Sequence, residues 1–411
     1  MPKILYLTYD GLTDPLGQSQ ILPYLEGLAN RGFEITVISF EKSLVLKAKS
    51  QRLKAIQLKY HKSPPVLSTL YDLYLLRKEV KRVLKAQQID IIHCRSYITS
   101  LVGLWAKRKY GIKFIFDMRG FWADERVEGG LWNLKNPVFK WIYQYFKKKE
   151  KEFIAEADAV IALTENAKNE ILSWKSKSSV VQKFNGSIGD KITVIPTCAD
   201  LDLFNPKTVS VDDSNALRDE LGIQKEDFVL LYLGSLGTWY LLEEMLDFYE
   251  ELKAEGSKLK GKYKFLFLTR EQEMLKEAIE KRGFQVDEII ITSCARNEVP
   301  MYISICDASI FFIIPTYSKK ASSATKMGEI MAMGKPVITN LGWGDVEVII
   351  SETETGVLVN DLSVEGYRKG IDRLAGSEFN PIKIRKEAGK HFSLEKGVES
   401  YHQIYLKLME K

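Results

Sequence analysis

The feature that most constrains this chain is an alternation of short apolar runs, rich in Ile, Val, Leu and Phe, with longer stretches of helical periodicity. In the first half the runs are KILYL (3–7), EITVIS (34–39), IDIIH (89–93), KFIFD (113–117), DAVIAL (158–163) and ITVIP (192–196). In the second half they are FVLLYL (228–233), KFLFL (264–268), EIIIT (288–292), ASIFFII (308–314), PVITN (336–340) and TGVLV (355–359). Runs that are apolar throughout, rather than alternating, belong to parallel strands covered on both faces. The expected class is therefore α/β, with each half a doubly wound, Rossmann-like domain. A length of 411 residues suits two such cores better than one. Asp, Asn and Pro replace the strand pattern between 196 and 213, which marks a linker. The expected domains are 1–203, 204–383, and a helical segment 384–411 that packs back toward the first domain, anchored by Phe392, Leu394, Tyr401, Ile404 and Tyr405.

Composition removes several functional classes. The opening MPKILYLTYDGL reads as a first strand and lacks the cleavage site of a signal peptide. No apolar stretch approaches the roughly 18–20 residues that cross a bilayer, so a cytoplasmic location is expected, with the inner membrane face open as a place of work. Cys94, Cys198, Cys294 and Cys306 are scattered without a CxxC pair, which suggests neither zinc nor a disulfide framework. A net charge of +5 is too small for this length to indicate nucleic acid as a partner.

In open α/β sheets ligands bind beyond the carboxyl ends of the strands, so the informative residues follow the runs above. The richest segment is IIPTYSKKASSATKMGEIMAMGKPVITN, 313–340. A buried strand ends near Pro315, a Ser/Thr-rich loop follows, and a helix begins about Thr325 and stops at Gly334. Ser323, Thr325 and the backbone N–H groups there form an anion site suited to a diphosphate. Lys326 in the first helical turn opposes the helix dipole unless an anion binds beside it. Glu329, on the same face one turn on, suits two ribose hydroxyls. The plain alternative is a solvated helix start with Glu329 as a cap.

The stretch EIMAMGKPVI (329–338) resembles the Glu-Ala-Met-Ala-x-Gly-x-Pro-Val-Ile core of the family 4 retaining glycosyltransferases, and SSATK (322–326) resembles the Ser-x-Thr-Lys variant of relatives that build bacterial surface polysaccharides. The likeness extends to 27–42, 156–171, 192–206, 295–310 and 392–405. It implies the GT-B fold, two Rossmann-like domains facing across a cleft, and a retaining, metal-independent transferase that uses a UDP- or GDP-sugar as substrate and needs no cofactor. It further implies a glycan or lipid-linked glycan as acceptor, in surface polysaccharide synthesis. Two departures stand out. Ala321 occupies the position of a first glutamate, and the glycine loop GSLGTWY (234–240) lacks the basic residue many relatives carry. The positive charge must then come from Lys326 and Arg270.

Gly234, Ser235 and Gly237 follow the strand FVLLYL, where glycine permits close backbone approach to a donor; a structural turn explains them nearly as well. In DPLGQSQILPYL (14–25), Gly17 with Gln18 and Ser19 follows the first strand, and the resemblance implies a loop against sugar and phosphate; the alternative is a tight turn. The segment FDMRGFWADERVEGG (116–130) combines charges with aromatics, which suits a polyhydroxylated acceptor. Asp117 is the candidate catalytic residue there, together with Lys326 and Glu329, while Arg119, Trp122 and Glu125 are the acceptor candidates. A surface loop with internal ion pairs is the alternative. NPVFKWIYQYFKKKEKEF (136–153) is a basic, aromatic, amphipathic helix that suits either an anionic membrane or the core.

Some patterns mislead. Asp200-Leu201-Asp202 spells a metal-binding DxD but sits in a linker, where turn chemistry explains it. The sequon Asn185-Gly186-Ser187 carries no meaning in the cytosol. Two competing functions remain at this level: an epimerase or phosphorylase on the same fold, and a catalytically silent nucleotide-binding subunit, which Ala321 makes conceivable.

Overall fold

The computed structural model describes residues 1–42, 52–174, 188–255, 258, 259, 261–285 and 287–410; the sequon at Asn185 lies outside them. The chain forms two compact units, one of Met1–Thr197, Ala321–Ser323 and Leu394–Lys411, the other of Cys198–Lys320 and Ala324–Ser393.

The first unit is built on a parallel sheet of β1 (Lys3–Leu7), β2 (Glu34–Glu41), β3 (Leu53–Lys59), β4 (Ile91–Arg95), β5 (Lys113–Asp117), β6 (Ala159–Ala162) and β7 (Ile192–Val194), in the order β3-β2-β1-β4-β5-β6-β7. Register is set by apolar pairing, with Ile4 of β1 between Ile35 and Ile91, all three buried. The strand β3 was not among the expected runs. It is an edge strand in which Lys54, Gln57 and Lys59 interrupt the apolar pattern, so only Leu53 is buried.

The second unit holds β8 (Phe228–Leu233), β9 (Tyr263–Leu268), β10 (Ile289–Thr292), β11 (Ala308–Ile310), β12 (Val337–Asn340) and β13 (Gly356–Val359), ordered β10-β9-β8-β11-β12-β13 and again parallel. Strand order therefore reverses between β1 and β4 in one sheet and between β8 and β11 in the other. Such points open a crevice at the carboxyl edge where a ligand can reach backbone from both sides.

The C-terminal stretch is two helices. Pro381–His391 belongs to the second unit, where Arg385 donates to the carbonyls of Phe204 and Leu201 at 2.6 and 2.9 Å. Leu394–Met409 belongs to the first, packed on helix Leu22–Asn30. Gly27 makes that packing close, since a Cβ there would lie 2.8 Å from Val398 Cγ2.

Candidate active site

In the second unit Gly234, after β8, and Lys326, after β11, come together at the β8/β11 reversal, whereas Ser323 belongs to the first unit. Helix Thr325–Ala332 starts where the sequence predicts, and among the described residues no side chain caps its N-terminus. Lys326, in the first turn, is 6% exposed. Its Nζ lies 3.6 Å from the Tyr240 ring centre and 4.3 Å from that of Tyr232, and donates to the Tyr232 hydroxyl at 3.3 Å. No carboxylate stands within ion-pair distance of it among the described residues. Burial pushes the ammonium down to about 7, against the pull of Glu329 and Glu271. A buried cation held by ring faces and a hydroxyl is stabilised far less than one beside an anion.

Gly234 explains how the ammonium fits. Its φ of +112° is one that side chains rarely adopt, and a Cβ there would stand 2.9 Å from Lys326 Nζ. Gly237 is different: a Cβ would meet nothing within 4 Å, so nothing in the protein itself requires glycine there. Ser235 is exposed, and its carbonyl accepts from the Tyr232 hydroxyl. Arg270 is exposed just beyond β9. Ser323 is engaged by Thr197, whose N–H donates to Ser323 Oγ at 3.1 Å and whose hydroxyl donates to the Ser323 carbonyl at 2.8 Å. Glu329 is buried and accepts from Arg296 Nη2 at 2.8 Å. Sequence reasoning missed Arg296; the only signal was its place just after β10, at the same carboxyl edge. It missed Lys319 as well, which is buried with Nζ 3.6 Å from the Trp239 ring centre.

In the first unit Gly17 is not in a loop. It lies within helix Pro15–Gln20, and a Cβ would stand 2.1 Å from the Gly11 carbonyl oxygen, so its smallness serves a backbone-to-backbone contact inside the protein. The residues joining β1 to that helix are held by buried Glu41, which accepts from the N–H of Leu12 at 2.8 Å and of Thr13 at 3.1 Å.

Asp117, at the end of β5, is fully buried. Its Oδ2 accepts from Tyr401 at 3.1 Å and faces His93 Nε2 at 3.4 Å, while Arg119 approaches Oδ1 at 3.9 Å. Burial raises the carboxyl, but Arg119, His93 and Arg95 together outweigh it and hold it below the ordinary range. Burial holds His93 low, so the imidazole is neutral. A carboxylate only accepts, so Nε2 carries the proton and Nδ1, 2.7 Å away, accepts from the Tyr405 hydroxyl. Asp117 thus ties helix Leu394–Met409 to the sheet. Two buried atoms, Asp117 Oδ1 and Arg119 Nε, have no hydrogen-bond partner among the described residues.

Arg119 has a φ of +55°. Trp122, predicted at the acceptor, belongs to an aromatic stack, 5.6 Å from Tyr97 and 4.9 Å from Phe146 between ring centres. Glu125 is half-buried in the same helix, Trp122–Glu128, whose Asp124 accepts from Tyr143 at 2.9 Å and Lys147 at 2.7 Å. The DxD lookalike does serve a turn: Asp200 Oδ1 accepts from the N–H of Asp202 at 3.0 Å and of Leu203 at 3.2 Å. No group of three or more metal-ligating side chains occurs among the described residues.

Two parallel-sheet Rossmann-like units in this strand order make the fold that of the GT-B glycosyltransferases. Residues 20–203 match the Glycosyltransferase Family 4 model and 213–391 match Glycosyl transferases group 1. Both segments are thus of glycosyltransferase type, the first of Family 4 and the second of group 1. It is 22% identical over 400 residues to EpsD of Bacillus subtilis (strain 168), whose name describes a glycosyltransferase, covering 95% of this chain and 93% of EpsD. Among solved structures it resembles sucrose-phosphate synthase from Thermosynechococcus elongatus, with a TM-score of 0.73, 16% identity and full coverage of both chains. HepE of Anabaena in complex with UDP and glucose gives a TM-score of 0.67 and 15% identity, covering 98% of this chain and 99% of that one.

Proposed function

We propose that the protein is a retaining, metal-independent glycosyltransferase that takes a sugar from a UDP- or GDP-sugar and places it on a glycan or lipid-linked glycan in surface polysaccharide synthesis. The observation that carries the reading is the Lys326 ammonium, buried among Tyr232 and Tyr240 without a carboxylate partner among the described residues, at an uncapped helix N-terminus on the strand-order reversal. EpsD and HepE, the latter in complex with UDP and glucose, support the substrate class.

When the anomeric carbon–oxygen bond to the diphosphate breaks, negative charge grows on the leaving phosphate. Lys326 and the N–H groups at Thr325 stabilise that charge without moving, which is where a preorganised site lowers a barrier most. The acceptor oxygen forms the new bond to the anomeric carbon. Its proton passes to a donor phosphate oxygen, as the family resemblance implies. Glu329, oriented by Arg296, accepts from the ribose hydroxyls, with Gly234, Ser235, Gly237 and Arg270 around the diphosphate. The geometry supports Asp117 as a positioning residue, since its carboxylate is enclosed and acts through Arg119 and His93.

A thermal-shift series of UDP-, GDP- and ADP-sugars, followed by donor hydrolysis in the wild type and Lys326→Ala, tests the reading. A native-state ligand raises the melting temperature by mass action. Binding without turnover in either protein would identify a silent nucleotide-binding subunit instead.

A further inference from the structure

The three crossovers β3 to β4, β4 to β5 and β5 to β6 run the same way across the first unit's sheet. Right-handed connections therefore place helices Leu67–Ala86, Ser96–Tyr110 and Pro137–Glu156 on one face, with Ser96–Tyr110 touching both of the others. Each helix begins at the carboxyl edge of the sheet, because each ends just before the next strand starts.

Helix Leu67–Ala86 has two apolar faces. One is buried, through Leu76, Val80 and Val83. The roll of the helix is fixed there by Asp72, which is fully buried, accepts from the Tyr9 hydroxyl at 2.8 Å and lies 2.6 Å from His61 Nδ1. The other face is Leu67, Leu70, Tyr71 and Tyr74, which are 64%, 57%, 51% and 61% exposed. Their spacing is that of a buried helical stripe, yet they face outward. Below them Arg77, Lys78, Lys81, Arg82 and Lys85 are exposed, and the one other acidic residue of the helix, Glu79, is paired with Arg82. Helix Pro137–Glu156 repeats the arrangement on a smaller scale: Val138 and Trp141 are 55% and 64% exposed at its start, and Lys148 is exposed further along.

We propose that this rim, Leu67, Leu70, Tyr71 and Tyr74 with Val138 and Trp141, docks on an anionic lipid bilayer. Leu side chains enter the acyl boundary, Tyr and Trp rings sit at headgroup level, and the basic residues behind them meet lipid phosphates. Charge decides for an anionic surface: five exposed cations stand behind the stripe against one paired carboxylate. No helix among the described residues is long and apolar enough to cross a membrane, so the contact is peripheral. The rim lies at the carboxyl edge, the edge that carries Asp117 and Arg119. Docking therefore presents a lipid-linked acceptor to the first unit's ligand edge; this last step, unlike the lipid binding itself, rests on the transferase reading.

The test is cosedimentation of the full chain with vesicles of phosphatidylcholine alone and of phosphatidylcholine mixed with phosphatidylglycerol. Pelleting with the anionic vesicles, weakened by salt, is expected. The double variant Leu70→Ser with Tyr74→Ser should lower the partition by roughly tenfold or more, from the apolar area it withholds from lipid. Ile382→Ser, more exposed still but in the second unit, should leave it unchanged. Equal pelleting with both vesicle types, no pelleting, or a double variant that pellets like wild type overturns the proposal. So does a dimer that the double variant abolishes without any vesicle binding, which would assign the surface to a second copy. Donor hydrolysis in vesicle-free solution, expected to be unchanged by the double variant, is read separately: its absence beside intact vesicle binding refutes the transferase reading alone.

Discussion

Donor binding should be coupled to proton uptake at Lys326. The fall of its pKa from 10.5 to about 7 corresponds to about 5 kcal/mol against the ammonium in the empty protein. Between pH 7 and 10.5 the unfolded chain holds this proton and the folded chain does not, so stability rises with pH through that window and the full penalty applies below pH 7. A diphosphate supplies the missing counter-charge and restores the ammonium. Phosphates are already ionised above pH 7. Burial keeps the Tyr232 and Tyr240 hydroxyls neutral, the latter raised to about 12. Affinity for UDP should therefore fall about tenfold per pH unit above pH 7, with uptake of about half a proton at pH 7 and about 0.9 at pH 8. Calorimetric titrations in buffers of different ionisation heat measure that uptake directly. Lys326→Arg, charged throughout, should flatten the slope, and Lys326→Met should lower affinity while stabilising the empty protein at pH 6. A wild type whose UDP affinity is constant from pH 7 to 9, with no proton taken up, would refute the reasoning.

Glu329→Gln keeps the shape but weakens acceptance from ribose; UDP affinity should drop about 10- to 100-fold, the worth of one or two charged hydrogen bonds, in the same titration. Gly237→Ala should leave the unfolding free energy in urea within about 0.5 kcal/mol of wild type, because the added Cβ meets nothing, yet weaken UDP if the donor approaches that backbone. Gly17→Ala should lower the midpoint clearly, since the Cβ strikes the Gly11 carbonyl. Tyr401→Phe removes a hydrogen bond to the buried Asp117 carboxylate and should cost about 1.5–3 kcal/mol in urea unfolding. Because that carboxyl is held low, the stabilisation is present above the unfolded-state pKa and is lost as pH falls through the folded one.

What the sequence made legible was whatever is local or periodic. Strands buried on both faces announce themselves by composition, and the start of helix Thr325–Ala332 by its loop chemistry. The strand β3 hides because edge exposure lets Lys54, Gln57 and Lys59 in. Gly17 misled because a glycine after a first strand has the same appearance in a loop as in a short helix packed on backbone. The cage of Lys326 was not legible, since Tyr232 and Tyr240 come from either end of the glycine loop and read only as strand core and turn. Nor was the pairing of Glu329 with Arg296, 33 residues away, or of Asp117 with Tyr401, 284 residues away. No periodicity encodes such distances. Nor does composition show that the half-buried ring of Trp122, an acceptor candidate, packs against Tyr97 and Phe146.

The first unit takes its final helix, Leu394–Met409, from the far end of the chain. During synthesis its sheet emerges from the ribosome long before Tyr401 and Tyr405 exist to cover His93 and Asp117, so a polar pocket and the groove beside Gly27 stay open while the whole second unit is being made. Maturation of the N-terminal half thus waits for translation of Leu394–Met409, and a truncated product ending before that helix displays an unfinished surface that chaperones and proteases can recognise.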